Sequence, residues 1–363
     1  MKVAGFNKYF QFGKISNDKN TYELPIIGPP LDSNIDVTSL LSYSTFGNHS
    51  VWIKKDGKAY AQGDNNDGRI SPLIPKKILK KETEVFIQKE SGSQYQFISA
   101  VCGVYYTIYL VSDSYDQKKL CYCYIDKEPL FLNLNGQIPK YIFGGRRISV
   151  AVDSEGGITI ISKSVFDNPE SALKATSLPD GEEVIIISCL NDFIIAIGSS
   201  GRAFMSTYPK TWILQFNEIG ELSEKTFVDV SGSFHHCLIV SKKGKVYGFG
   251  KNTYCNLGMP KKIKEVEKFT EIKFLKKYKI VEVFAGYSHS LFKTDNGKII
   301  SCGWNYSGEL MLSKKNNHSS AHHPSKTHIS ENVSFCIAGE FTTVLFLDCK
   351  VPPNMPNQKI VED

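Results

Sequence analysis

An all-β repeat protein is predicted by three observations on this sequence. Residues 285–310, AGYSHSLFKTDNGKIISCGWNYSGEL, hold Gly-x-x-His-Ser, an apolar run, an Asp-Asn-Gly turn, a second apolar run and Gly-x-Asn-x-x-Gly. Residues 230–258 repeat that order through Gly232, His235, Gly244, Gly250, Asn252 and Gly258. Fainter paired runs around a turn recur along the rest of the chain, while sustained 3.6-residue apolar periodicity is scarce. A hairpin of two short strands cannot bury its apolar face alone, so the copies must stack to share a core. Starts at 46, 103, 144, 190, 232, 286 and 339 give seven units, at intervals from 41 residues (103 to 144) to 57 (46 to 103). That spacing suits four short strands per unit, and the expected fold is a seven-bladed β-propeller.

The chain opens on the second half of a unit: Gly5, Asn7 and Gln11 fall where Gly303, Asn305 and Glu309 fall in the template, with Gly13 two residues on. Residues 46–71 form the first complete copy, with His49-Ser50, a turn at Asp56-Gly57, and Gly63, Asn65 and Gly68. Asp-Gly between apolar runs is a strong hairpin signal. The next three copies keep the hairpin and lose the polar signature, placing Tyr106, Arg147 and Phe193 at the histidine position. The template copy supplies Gly286, His289, the Gly297 turn, Gly303, Asn305 and Gly308. The last unit, residues 333–347, has a first half only. An open sheet edge is an aggregation template, so the N-terminal strand is expected to pair into the last unit and close the ring. The propeller is read as residues 1–350, and 351–363 as a short tail.

Two stretches are ambiguous. In residues 261–279, Ile263, Val266, Phe269, Ile272 and Leu275 recur every third residue, which leaves helix or strand open. Residues 313–332 carry His318, His322, His323 and His328; the i, i+4 pair could bind a metal on a helix, but Pro324 and the Ser/Asn/Lys surroundings favour a solvated loop.

The hydrophobic fraction of 41% supports a folded core. No apolar run is long enough to span a bilayer, and the first residues lack the features of a secretory signal. The nine cysteines are odd in number and scattered, as in reduced cytoplasmic or nuclear proteins. Cys121 and Cys123, two apart on a strand, read as one core layer. The net charge of +6 is carried almost wholly by lysine, with arginine only at 69, 146, 147 and 202, which argues against specific nucleic-acid readout.

The runs 245–252 and 303–310 resemble the repeat of the regulator of chromosome condensation family, strongly in three copies (46–71, 230–258 and 285–310) and by hairpin pattern in three more. The resemblance implies the propeller fold. It implies two functions: an interaction scaffold, or guanine-nucleotide exchange on a Ran-like small GTPase. The eroded copies, and the missing basic arm that chromatin-bound members place before the first blade, favour the scaffold. Three tryptophans, Trp52, Trp212 and Trp304, are too few for the ultraviolet sensing of other members.

The recurring histidines are expected to build the repeat, because a catalytic residue should break a repeat rather than recur in it. The Ser/His and Asn positions are expected to bond loop backbone within each unit. No catalytic constellation, phosphate loop or nucleophile elbow is found, and neither cofactor nor metal is expected. A monomer that binds a protein partner is expected, and Lys76, Lys77, Lys80, Lys81, Lys276 and Lys277 are candidate partner-facing residues if they project from one face. The long connections 72–100, 126–140 and 259–284 are the other places where the copies differ.

Overall fold

The computed structural model describes residues 2–5, 37–87, 94–124, 127–162, 175–207, 215–312, 320–327, 329–355 and 359–360. Asn7, Gly13, His318 and His328 lie outside them. The described residues form seven antiparallel sheets, and their helical content is four three-residue 3-10 turns.

β1 (Lys2–Gly5) comes first in the chain. The first sheet is β2 (Leu40–Phe46), β3 (His49–Lys54), β4 (Ala59–Asp64) and β5 (Ile78–Val85). The second is β6 (Gln96–Cys102), β7 (Tyr106–Ser112), β8 (Lys118–Tyr124) and β9 (Leu130–Leu132). The third is β10 (Pro139–Gly144), β11 (Ser149–Asp153) and β12 (Ile158–Ile161), and the fourth β13 (Val184–Cys189), β14 (Phe193–Gly198), β15 (Ala203–Thr207) and β16 (Asn217–Glu218). The fifth is β17 (Phe227–Gly232), β18 (His236–Ser241), β19 (Val246–Lys251) and β20 (Glu265–Glu271). The sixth is β21 (Ile280–Ala285), β22 (His289–Thr294), β23 (Ile299–Trp304) and β24 (Ser320–Lys326). The last comprises β25 (Val333–Ala338) and β26 (Thr342–Leu347) with β1 on its edge, Val3 opposite Val344 and Gly5 opposite Thr342.

The first strand of each sheet packs on the first strand of the next, and Phe346 of the last sheet meets Tyr43 of the first edge-on at 5.8 Å. Side chains on these inner strands accept backbone N–H groups from the neighbouring sheet: Ser44 from Cys102, Ser188 from Gly232, Ser231 from Ala285 and Asp229 from Val283. The apolar core lies between sheets; its largest cluster joins Phe143, Ile186, Ile195, Phe227 and Ile239 from the third, fourth and fifth. All seven inner strands line one central cavity.

One choice left open by the sequence is resolved, and two expectations need correction. Residues 261–279 hold no helix longer than the 3-10 turn Lys273–Leu275; the charged run is the outer strand β20, whose exposed Lys and Glu side chains hid the period-2 signal. Residues 320–326 are a strand, not a loop, because an outermost strand tolerates Pro324 where a central one would lose a ladder bond. The unit starts at 144 and 232 slip by one. Gly145 and Ser233 make the N–H bond to the residue three on that Gly286 makes to His289, which puts Ile148, not Arg147, at the histidine position of the third sheet.

Candidate functional site

The recurring polar residues build the sheets and tie them to one another. His49 Nε2 lies 2.9 Å from Thr107 Oγ1, and His289 Nε2 lies 3.1 Å from Thr343 Oγ1, each reaching the second strand of the next sheet. In the fifth sheet this position belongs to His236, not His235. His236 pairs with Gly250 as His49 does with Gly63, and its Nε2 lies 2.8 Å from Ser290 Oγ. The extra residue in Ser233-Phe234-His235 shifts the count by one. Tyr106 replaces the histidine in the second sheet, donating to Gly145 O at 2.8 Å with Ser149 Oγ at 2.7 Å. These ties cross between sheets, unlike the within-unit bonds expected. Burial pushes His49 and His236 down to about 3 and His289 to about 4, so all three are neutral near pH 7.

The asparagines do bond within their own loops. Asn65 Nδ2 donates to Ser71 O and Ile74 O while its Oδ1 accepts from Ile70 N. Asn252 Nδ2 donates to Ile263 O at 2.7 Å, and Asn305 Oδ1 accepts from Leu310 N at 2.9 Å. Gly63, Gly250 and Gly303 have φ of 109°, 93° and 105°, and a Cβ on them would lie within 2.5 Å of the Asn48, His235 and Ser288 carbonyl oxygens. Only glycine fits there. Gly57, Gly244 and Gly297 sit in the turns after the second strands, and Gly68, Gly258 and Gly308 in the loops after the third, all at positive φ. Gly286 lies under the His289 ring, and Gly232 faces Leu190 across a sheet junction.

What does not recur gathers at one mouth of the central cavity, where the turns between first and second strands converge. Arg146 in the third sheet's turn bonds Glu340 in the last sheet's, Nε at 3.2 Å and Nη2 at 3.1 Å from Oε1, across 194 residues of sequence. Its guanidinium lies 4.6 Å from the Phe234 ring centre and 5.3 Å from that of Tyr287, rings that stack on each other at 5.3 Å and 12°. Tyr287 also packs on Phe341, and His235 lies against Phe234. The network continues through Val104, whose N donates to Arg146 O and whose O accepts from Arg69 Nη1. Tyr105 is exposed here, as are Tyr254 and Tyr306 around the half-buried Trp304, on loops that leave the third strands at the same end. Burial, with Lys251 and Arg146 nearby, lowers the His235 pKa. The arrangement offers flat aromatic surface and a held guanidinium to a binding partner.

The candidate lysines do not share a face. Lys76 and Lys77 give their carbonyls to Asn65 at the turn mouth, and Lys80 and Lys81 lie on the outer strand β5. Lys276 and Lys277 follow the Lys273–Leu275 turn at the opposite end, beside the Gly244 turn. Of the clustered histidines, His323 is described, exposed and stacked near Phe274.

Two carboxyls are buried in ways the sequence reading did not anticipate. Asp229, on the cavity wall, is raised to about 7 by burial, against the opposing effect of Lys359. Glu309 is raised to about 7 by burial and accepts from Ser307 N at 2.9 Å. The structure also shows that the segment after residue 350 does not hang free: Met355 is buried in the core shared by the first and last sheets.

Two models of the regulator of chromosome condensation (RCC1) repeat match residues 243–292 and 280–309. This chain carries RCC1 repeats. A human RCC1-like G exchanging factor-like protein is 32% identical over 98 residues, 26% of this chain and 21% of that one. The stretches matched in the first curated relatives amount to 12–31% of those proteins' lengths. Human WBSCR16 superposes with TM-score 0.73 at 12% identity, covering 96% of this chain and 99% of that one. Prp20p of Saccharomyces cerevisiae, whose structure was described with its binding properties to Gsp1p and histones, gives 0.70 at 14%, covering 95% and 90%. The RCC1-repeat chain therefore has the β-propeller fold of these neighbours. The inter-sheet Arg146–Glu340 pair was not visible in the sequence, because only the fold brings residues so far apart together.

Proposed function

We propose that the seven sheets are the blades of one closed propeller, that β1 completes the blade of β25 and β26, and that the ring is a protein-interaction scaffold. The observation that carries the functional reading is the turn mouth. Arg146, Phe234, Tyr287, Phe341 and Glu340 come from four sheets and meet as an aromatic-arginine patch, the residue types enriched at binding hot spots. The ring acts as a monomer in the cytoplasm or nucleus, a location supported by nine unbridged cysteines, eight of them buried. Light scattering after size exclusion and imaging of a tagged chain test those two points.

The rival reading is guanine-nucleotide exchange on a Ran-like GTPase, favoured by the likeness to the G exchanging factor-like protein. Release of a fluorescent guanine nucleotide from such a GTPase separates the two. The scaffold reading expects no acceleration at micromolar protein. Acceleration that Arg146→Ala abolishes would replace it with exchange.

A further inference from the structure

Each inner strand carries a one-residue bulge at the same place, near the end of the cavity opposite the turn mouth: Leu41, Ile98, Lys140, Ile185, Val228, Val281 and Ser334. A bulge residue drops out of its ladder and leaves backbone groups without a strand partner. The seven bulges form a collar around the cavity, in which the Ser334 carbonyl already accepts from Lys293 Nζ at 2.6 Å. Residues beyond 350 use this collar. Asn354 N donates to Leu41 O at 2.9 Å, Asn354 Nδ2 donates to Ile98 O at 3.2 Å, and Ile360 N donates to Ile185 O at 2.7 Å. All three acceptors are bulge carbonyls, on the first, second and fourth sheets.

Side chains complete the seat. Ser99 Oγ donates to Asn354 O at 2.9 Å, and the Tyr43 N–H points to Met355 Sδ at 3.2 Å. Lys359 lines the cavity together with Asp229 and Glu282; the one cation of the described segment after Lys350 lies near Asp229, while Glu282 bonds Lys293 Nζ at 2.9 Å. Pro352 and Pro353 bias the approach to extended backbone. Backbone bonds to a sheet element combined with side-chain pockets are the general mode by which proteins hold extended peptides.

We propose that the bulge collar is a docking site for a lysine-bearing peptide, and that Asn354, Met355, Lys359 and Ile360 of this chain occupy it in cis. Tethering gives the segment an effective concentration of order millimolar, which excludes a micromolar competitor. Releasing the segment opens the collar to a peptide in trans.

Two measurements on the full chain test this. In wild-type protein, the amides of Asn354 and Ile360 are expected to exchange with deuterium at least 100-fold more slowly than in the free peptide. Exchange at the free-peptide rate overturns the proposal and requires no variant. A fluorescein-labelled synthetic peptide of residues 351–360 is the second probe. It is expected to bind the Asn354→Ala/Lys359→Glu double variant at least tenfold more tightly than wild type, and adding Asp229→Asn is expected to weaken that binding. Equal binding to wild type and double variant, with β18 amides protected in both, contradicts occupancy in cis.

Discussion

The junction between the fifth and sixth sheets and that between the third and fourth do the same job with opposite chemistry. At the first, His236 is buried and bonds Ser290, and Ser231 holds Ala285. At the second, the positions equivalent to His236 and Ser290 are Ile148 and Ile194, and the junction is filled by Val150 and Ile187. A buried polar pair contributes little net stability but costs much when half of it is removed. An apolar junction is insensitive to hydrogen-bond geometry and sensitive to volume. The recurring histidine is therefore one of two interchangeable ways to join sheets, which is why copies could lose it and keep the fold.

The comparison can be broken most severely where neither chemistry operates. The last sheet is completed by backbone pairing of β1 with β26. Deleting residues 1–13 exposes the β26 edge and is expected to give the largest loss, more than about 4 kcal/mol, with self-association visible on size exclusion. A deletion protein that melts like the full chain would show that β1 does not hold the ring.

Next in size are exchanges of the two junction chemistries. His236→Leu removes the bond to Ser290 Oγ, which keeps its own bond to Asn256 O, and is expected to cost about 1–2 kcal/mol in denaturant unfolding. Ile148→Ala instead opens a cavity at the apolar junction and is expected to cost about 3 kcal/mol. Recovery of most of the His236→Leu loss in His236→Gln, which keeps a side-chain N–H toward Ser290 Oγ, would identify the His236 cost as the lost hydrogen bond. No recovery would mean the histidine acts through its volume.

The pH dependence separates the junctions without mutation. His49, His236 and His289 have folded pKa values below their ordinary one, so their stabilisation is complete above pH 6.5 and is lost as pH falls toward 3–4. Each costs about 1.4 kcal/mol per pH unit in that window. Asp229 and Glu309, raised to about 7, act in reverse: they oppose folding above pH 7 and cease to as pH falls toward the ordinary carboxyl range. Melting temperature is expected to decline gently from pH 6.5 to about 4.5 and steeply below, where the carboxyls no longer offset the histidines. The smallest effect is that of Glu309→Gln, a rise in melting temperature that grows from about pH 4.5 and is complete above pH 7. A rise of equal size at pH 5 would show that Glu309 is not a buried acid.

The hairpins and the number of units were legible because Asp-Gly turns and the Gly-x-Asn-x-x-Gly loops repeat local backbone requirements that few other residues meet. The outer strands β5, β20 and β24 were not, since exposed edge strands rich in Lys, Glu and even Pro324 carry little apolar alternation. The slips at Gly145 and His236 came from single-residue differences in turn length. Arg146 and Glu340 carry no motif and meet only in the folded chain. The bulges at Leu41, Ile98 and Ile185 are invisible because a bulge in a continuous apolar strand leaves the composition unchanged.

The central claim, that partners bind at the turn mouth, is tested most directly by site-specific photo-crosslinking in the cells that make the protein. Tyr105 at the turn mouth is 44% exposed, whereas Tyr115, at the turn between second and third strands on the opposite end, is 85% exposed. With p-benzoylphenylalanine at each position in turn, the account predicts covalent partner adducts at 105 and none at 115, despite the greater exposure there. Adducts at 115 with none at 105 would contradict it.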